Sequence, residues 1–171
     1  MNKMAVHGWI LTVLLFVVLH SGCNQQQEEI PQGKLTNQSG CKKFAAGLAS
    51  SIVPANEQEC IRYRYSENTL YLSHQNTAFN CCPGKIMTAI TVSNHTITIR
   101  EIEQEAGCHC MCLFDLEMEI CNLPRGTYRI MVNAPYLGGQ TALDFICDLE
   151  LKSAGEYCLD RNGYPWETAG E

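Results

Sequence analysis

The sequence predicts an all-β fold: two antiparallel sheets packed as a disulfide-stabilised β-sandwich, Ig-like or jelly-roll-like, with a small β-barrel as the alternative. Three observations point there. From Cys60 onward, apolar and polar residues alternate over short segments, the period of a strand with one buried face. Turn formers punctuate those segments at Pro83-Gly84, Pro124, Gly138-Gly139 and Asn162-Gly163, leaving little room for long helices. No repeat of fixed period runs through the 171 residues, which argues against solenoids and propellers.

The first element is a leader. Lys3 supplies a positive start, and WILTVLLFVVL (residues 9–19) is an apolar run of eleven. That length fits the hydrophobic region of a secretory signal and is too short to span a bilayer. Ser21 and Gly22 then place small residues directly before Cys23. This stretch resembles the lipobox of bacterial lipoproteins, in which the cysteine is acylated, as with palmitate, and becomes the new N-terminus. His20 stands where that pattern usually has an apolar residue. The resemblance implies a signal peptide over residues 1–22, lipidation at Cys23, and attachment to the cell-envelope membrane through that anchor. The body would face the periplasm or the cell exterior. Ordinary cleavage near Gly22 is the alternative, and it leaves Cys23 as one more disulfide candidate. With Cys23 lipidated, ten of the eleven cysteines remain, an even number.

Residues 23–40 are polar, carry Pro31 and Gly33, and lack periodicity. They read as a flexible tether, which leaves residues 41–171 as one cysteine-rich β domain. Residues 42–53 allow a helical turn or two, cut short by Gly47 and paired serines. Strands are expected over residues 60–65, 69–74, 85–92, 95–103 and 111–121, and then in GTYRIMVNA, LDFICDLEL and EYCLD, about eight in all. The Ser93-Asn94 step suggests a tight hairpin. In residues 111–121 the alternation puts Phe114, Leu116, Met118 and Ile120 on one face and Asp115, Glu117 and Glu119 on the other. Such strands are unstable alone and must stack or close, with their acidic faces toward water.

Composition narrows the function. Apolar residues make up 46% of the chain, enough for a core, and the net charge is −6. An acidic chain is a poor partner for nucleic acid, whose phosphates need a basic surface. No G-x-S-x-G, P-loop, G-x-G-x-x-G or H-E-x-x-H occurs. Ser73-His74 beside Asn76 does not make a hydrolase, because neighbours in a strand face apart. Two acidic ladders, Glu101, Glu103, Glu105 and Asp115, Glu117, Glu119, could hold calcium if side by side; solvated strand faces are the plainer reading. Tyr164 and Trp166 flank Pro165; they read as a plug for one end of the core rather than a sugar-stacking surface. The expectation is a non-enzyme that needs no cofactor.

The cysteines admit three chemistries. An exported chain meets an oxidising compartment, which favours disulfides. Cys108, Cys110 and Cys112 are spaced by two and, if extended, point the same way as Phe114 and Leu116. Cys81 and Cys82 are adjacent and would face apart, and Pro83 holds Cys82 extended. Each is therefore expected to bridge to a different member of the triplet, with Cys41, Cys60, Cys121, Cys147 and Cys158 completing the set. Each bridge would stabilise by about 2–4 kcal/mol. Alternatively, Cys81, Cys82, Cys108, Cys110 and Cys112 form a zinc or copper(I) site, with His109 or His74 nearby. The spacings lack the knuckle of common zinc modules and lie closer to thiolate-rich copper(I) or cluster chemistry. A thiol–disulfide oxidoreductase is the third reading. No C-x-x-C occurs, though C-x-C can form a labile small ring.

LSHQNTAFNCCPG, ITIREIEQEAGCHCMCLFDLEMEI and NLPRGTYRIMV together resemble a group of cysteine-rich lipoproteins from anaerobic gut-type bacteria. The likeness covers residues 70–132, with Cys81, Cys82, Cys108, Cys110 and Cys112 at recurring positions. It implies an envelope lipoprotein with a β-rich body and brings no activity with it. Any binding partner, whether an envelope protein or a small ligand, is left open.

Overall fold

The computed structural model describes residues 30–42, 57–105, 107–108, 110–163 and 165–166. The leader, Cys23, the helical turn expected over residues 43–53, His109 and Tyr164 lie outside the described residues. Within them the fold is all-β, with nine strands in two sheets: β1 (Gln32–Gln38), β2 (Gln58–Ser66), β3 (Thr69–Asn80), β4 (Lys85–Ser93), β5 (Thr96–Gln104), β6 (Met111–Cys121), β7 (Thr127–Asn133), β8 (Asp144–Asp148) and β9 (Ala154–Asp160). One sheet runs β1-β6-β3-β2-β9 and the other β4-β5-β7-β8. All pairings are antiparallel except β5 with β7, which is parallel.

The layers form an open sandwich with contact along both flanks. On one, β1 passes so close to β4 that a Cβ at Gly33 would lie 2.5 Å from Ile90 Cγ2. On the other, Phe145 of β8 stacks on Tyr157 of β9 at 4.7 Å. Between the sheets lie Ile61, Leu72, Phe79, Ile97, Ile99, Phe114, Leu116, Met118, Ile120, Ile130 and Val132. Each such buried side chain contributes roughly 1.5–3 kcal/mol.

Two hairpin turns have both central residues at positive φ, Glu67-Asn68 (51° and 56°) and Asn94-His95 (48° and 58°). That matches the right-handed strand twist. The second sits one residue beyond the Ser93-Asn94 step expected from sequence.

The tether needs correcting. From Gln32 the chain is already strand β1, paired along β6 from Gln32↔Cys121 to Gln38↔Leu116. Leu35 packs against the core while most of the strand is exposed. An edge strand with one anchoring apolar residue carries too little alternation to be read from sequence, and the folded body starts before Cys41.

β3 changes parity midway. Its register with β6 shifts between His74 and Thr77, where Asn76 has φ 63°. Leu70, Leu72 and His74 are buried before this bulge; after it Phe79 joins the same core, while Ala78 packs with Leu113 and Trp166. One inserted residue exchanges the two faces. The bulge is clamped from outside: Lys42 Nζ donates to Asn76 Oδ1 (2.6 Å) and to Asp115 Oδ1 (2.9 Å), and the Asn76 backbone N–H donates to Asp115 Oδ1 (2.9 Å).

Candidate functional site

Eight of the described cysteines form four disulfides: Cys41–Cys112, Cys60–Cys158, Cys81–Cys110 and Cys82–Cys108. Cys60 and Cys158 face each other across β2 and β9, Cα atoms 4.1 Å apart. Cys112 lies in the core with Phe114 and Leu116, as its spacing predicts, and ties β6 to the segment that follows β1.

The other two bridges form adjacent rungs just past the last β3–β6 pair, Asn80↔Met111. Cys81 N–H donates to Cys110 O (2.9 Å), and Gly107 N–H donates to Cys82 O (3.1 Å). Asn80 braces the far rung: its Oδ1 accepts from Cys82 N–H (2.9 Å), and its Nδ2 donates to Cys108 O. The sulfurs of Cys81, Cys82 and Cys108 all lie within 4.8 Å of one another. Cys82 and Cys110 are exposed, whereas Cys81 and Cys108 are half-buried. Cys81 and Cys82 thus take different members of the triplet as expected, but at a bend just past β3 that brings their sulfurs close together rather than on opposite faces of a strand.

Cys121 and Cys147, expected among the bridged residues, are free thiols. Cys121 shares the parity of outward-facing Glu117 and Glu119 on β6 in the first sheet. Cys147 is buried on β8 in the second. A sheet separates them. Burial pushes the Cys147 thiol up to about 11, so it is protonated and inert at neutral pH.

His74 is not beside the sulfurs in a ligand role. It is fully buried, with both ring nitrogens engaged. Nδ1 meets Glu101 Oε1 at 2.5 Å and Nε2 meets Glu59 Oε1 at 2.8 Å. Thr77 Oγ1 donates to Glu101 Oε2 (2.7 Å). Arg161 Nε donates to Glu59 Oε2 (2.6 Å), its Nη2 donates to the same oxygen, and its Nη1 donates to Thr141 O (2.5 Å). Glu59, His74 and Thr77 belong to one sheet and Glu101 to the other, so this network bolts the layers together through the buried interior.

Its charges balance. Burial alone would lower His74, but Glu101 and then Glu59 outweigh it and push its pKa up to about 10. Burial alone would raise Glu59, and His74 with Arg161 hold it below the ordinary carboxylate value. Two carboxylates therefore face one imidazolium and one guanidinium. An imidazole with both nitrogens committed as donors has no lone pair for base catalysis.

The acidic ladders are not neighbours. Glu101 points into the core from β5. Asp115, Glu117 and Glu119 lie on β6 in the other sheet, where Glu117 accepts from Ser73 (2.8 Å) and Glu119 pairs with Lys34 (2.8 Å). Ser73 and His74 face opposite ways. Trp166 is buried against Ala78 and Leu113, in a cluster of its own on the other face of the first sheet rather than as a plug at the end of the inter-sheet core.

Where β2 begins and β9 ends, an open groove of about 610 Å³ is lined by Glu57, Gln58, Asp160, Arg161, Asn162 and Gly163. Arg161, one of its lining residues, also bonds Glu59 of the buried network.

No protein-family model matches this chain, and no curated protein or solved structure matches it.

Proposed function

We propose that this chain is a membrane-anchored lipoprotein of the cell envelope, whose disulfide-locked sandwich serves a binding or structural role outside the cytoplasm and not a catalytic one. The four disulfides carry the reading, because such bonds persist in oxidising compartments. The leader and the small residues before Cys23 supply the export signal and the anchor. The committed, positively charged His74 favours a scaffold over an acid–base centre.

The test is the intact mass of the mature protein, purified from envelope fractions, before and after alkylation. The expected protein begins at Cys23, carries acyl chains, and takes up two alkyl groups when denatured without reductant. A chain that retains residues 1–22, or takes up ten alkyl groups, defeats the reading.

A further inference from the structure

Where β3 ends and β6 begins, the two rungs bring three sulfurs together, with a fourth bonded to one of them. Cys81, Cys82 and Cys108 place theirs within 4.8 Å of one another, and Cys110 is bonded to Cys81. A tetrahedral thiolate site with metal–sulfur bonds of about 2.3 Å needs sulfurs about 3.8 Å apart. A frame of hydrogen bonds runs beside the sulfur–sulfur bonds. Cys81 N–H to Cys110 O, Gly107 N–H to Cys82 O, and the two Asn80 side-chain bonds hold the same four residues by hydrogen bonding. The one-residue spacing of Cys108 and Cys110 rules out a knuckle formed by one loop, but here the ligands come as pairs from two facing strand ends. Exposed Cys82 and Cys110 give a reductant and an ion a way in.

We propose that the four sulfurs gathered on these adjacent rungs are a redox-gated metal site: closed as two disulfides, and open on reduction as a four-thiolate site for one soft d10 cation, zinc(II) or copper(I). The opening step balances with two molecules of a dithiol reductant. Each sulfur–sulfur bond breaks, each cysteine gains one electron and one proton, and each dithiol becomes a disulfide. The cation then displaces the thiol protons to solvent. Asn80 is the positioning residue that keeps the Cys82–Cys108 rung in place while its covalent bond is open.

The experiment uses the full mature chain, reduced anaerobically with a limiting non-thiol phosphine and then dialysed against zinc alone. Peptide mapping after alkylation is expected to find Cys81, Cys82, Cys108 and Cys110 opened before buried Cys60 and Cys112. Elemental analysis is expected to find one zinc per chain. Cobalt(II) in place of zinc is expected to give the intense sulfur-to-metal absorption of a tetrahedral tetrathiolate. Cys82→Ser is expected to abolish stoichiometric binding, and Asn80→Ala to weaken it about 10- to 100-fold with the same thiol count. Removing a bridge away from the site as a control, Cys60→Ala with Cys158→Ala, should leave binding intact. Opening of these four cysteines without zinc uptake, or zinc held equally well by Cys82→Ser, overturns the proposal. So does loss of the fold on reduction of these two bonds, since the frame must survive it. Should Cys82→Ser fail to fold, the cobalt spectrum of the unaltered chain decides alone.

Discussion

Two regions of this sandwich join strands by opposite means. At the end of β3 and β6 the fastening is covalent, shallow and open to chemistry from outside. A few residues earlier on the same β3 it is ionic, fully buried and sealed from water around His74. The covalent fastening stabilises by constraining the unfolded chain, whatever surrounds it. The ionic one depends wholly on its partners, because a charge stranded in the core is far costlier than one never placed there. Reductant should therefore act on one region and pH on the other.

Breaking the bolt should have the largest effect. His74→Ala leaves Glu59 and Glu101 buried without their shared cation, and a loss of about 3–5 kcal/mol is expected from urea denaturation. The proton offers the same break without mutation. The folded state raises His74 from 6.5 to about 10, so the native protein binds more protons than the unfolded chain in that window. Its contribution is complete below about pH 6.5 and lost as pH rises through about 10. The urea midpoint should fall over that range in the unaltered protein. In a folded variant lacking His74 this component should be missing; an equal fall there would show that another group is responsible.

The covalent fastenings should rank by the loop they close. Cys60–Cys158 spans 98 residues and Cys82–Cys108 spans 26. Paired alanine variants should place the first loss about 1 kcal/mol above the second, as read by thermal unfolding. Equal losses would mean that the remaining bridges already restrict the unfolded chain. The free thiols should show the smallest effect. Native-state alkylation should label half-buried Cys121 and spare Cys147, with little change in stability from Cys121→Ser.

Much of this architecture is legible because alternation records which side of a strand is wet. β6 reads directly: Phe114 to Ile120 face in, Asp115 to Glu119 face out. The same rule, followed strictly, would have found the bolt. Glu101 is in phase with Ile97 and Ile99, and His74 with Leu70 and Leu72, so their inward direction is written in the spacing. The assumption that carboxylates seek water hides it, and that assumption fails where two cations arrive from β3 and from beyond β9. β1 has no such record, since a mostly exposed edge strand leaves only Leu35 to mark it. The cysteine pairing is legible only in part. Adjacency in the chain separates the partners of Cys81 and Cys82, but nothing local joins Cys41 to Cys112.

The early start of β1 bears on how the body would stand above a lipid surface. An acyl group on Cys23 would be separated by only eight residues, 24–31, from Gln32, where the sheet begins, a span of at most about 29 Å. Any pull from the bilayer would then load β1 along its ladder with β6. Should β1 peel, the Cys41–Cys112 bond would stop the tear within a few residues, so the strand can be stripped away while the rest of the sandwich stays shut.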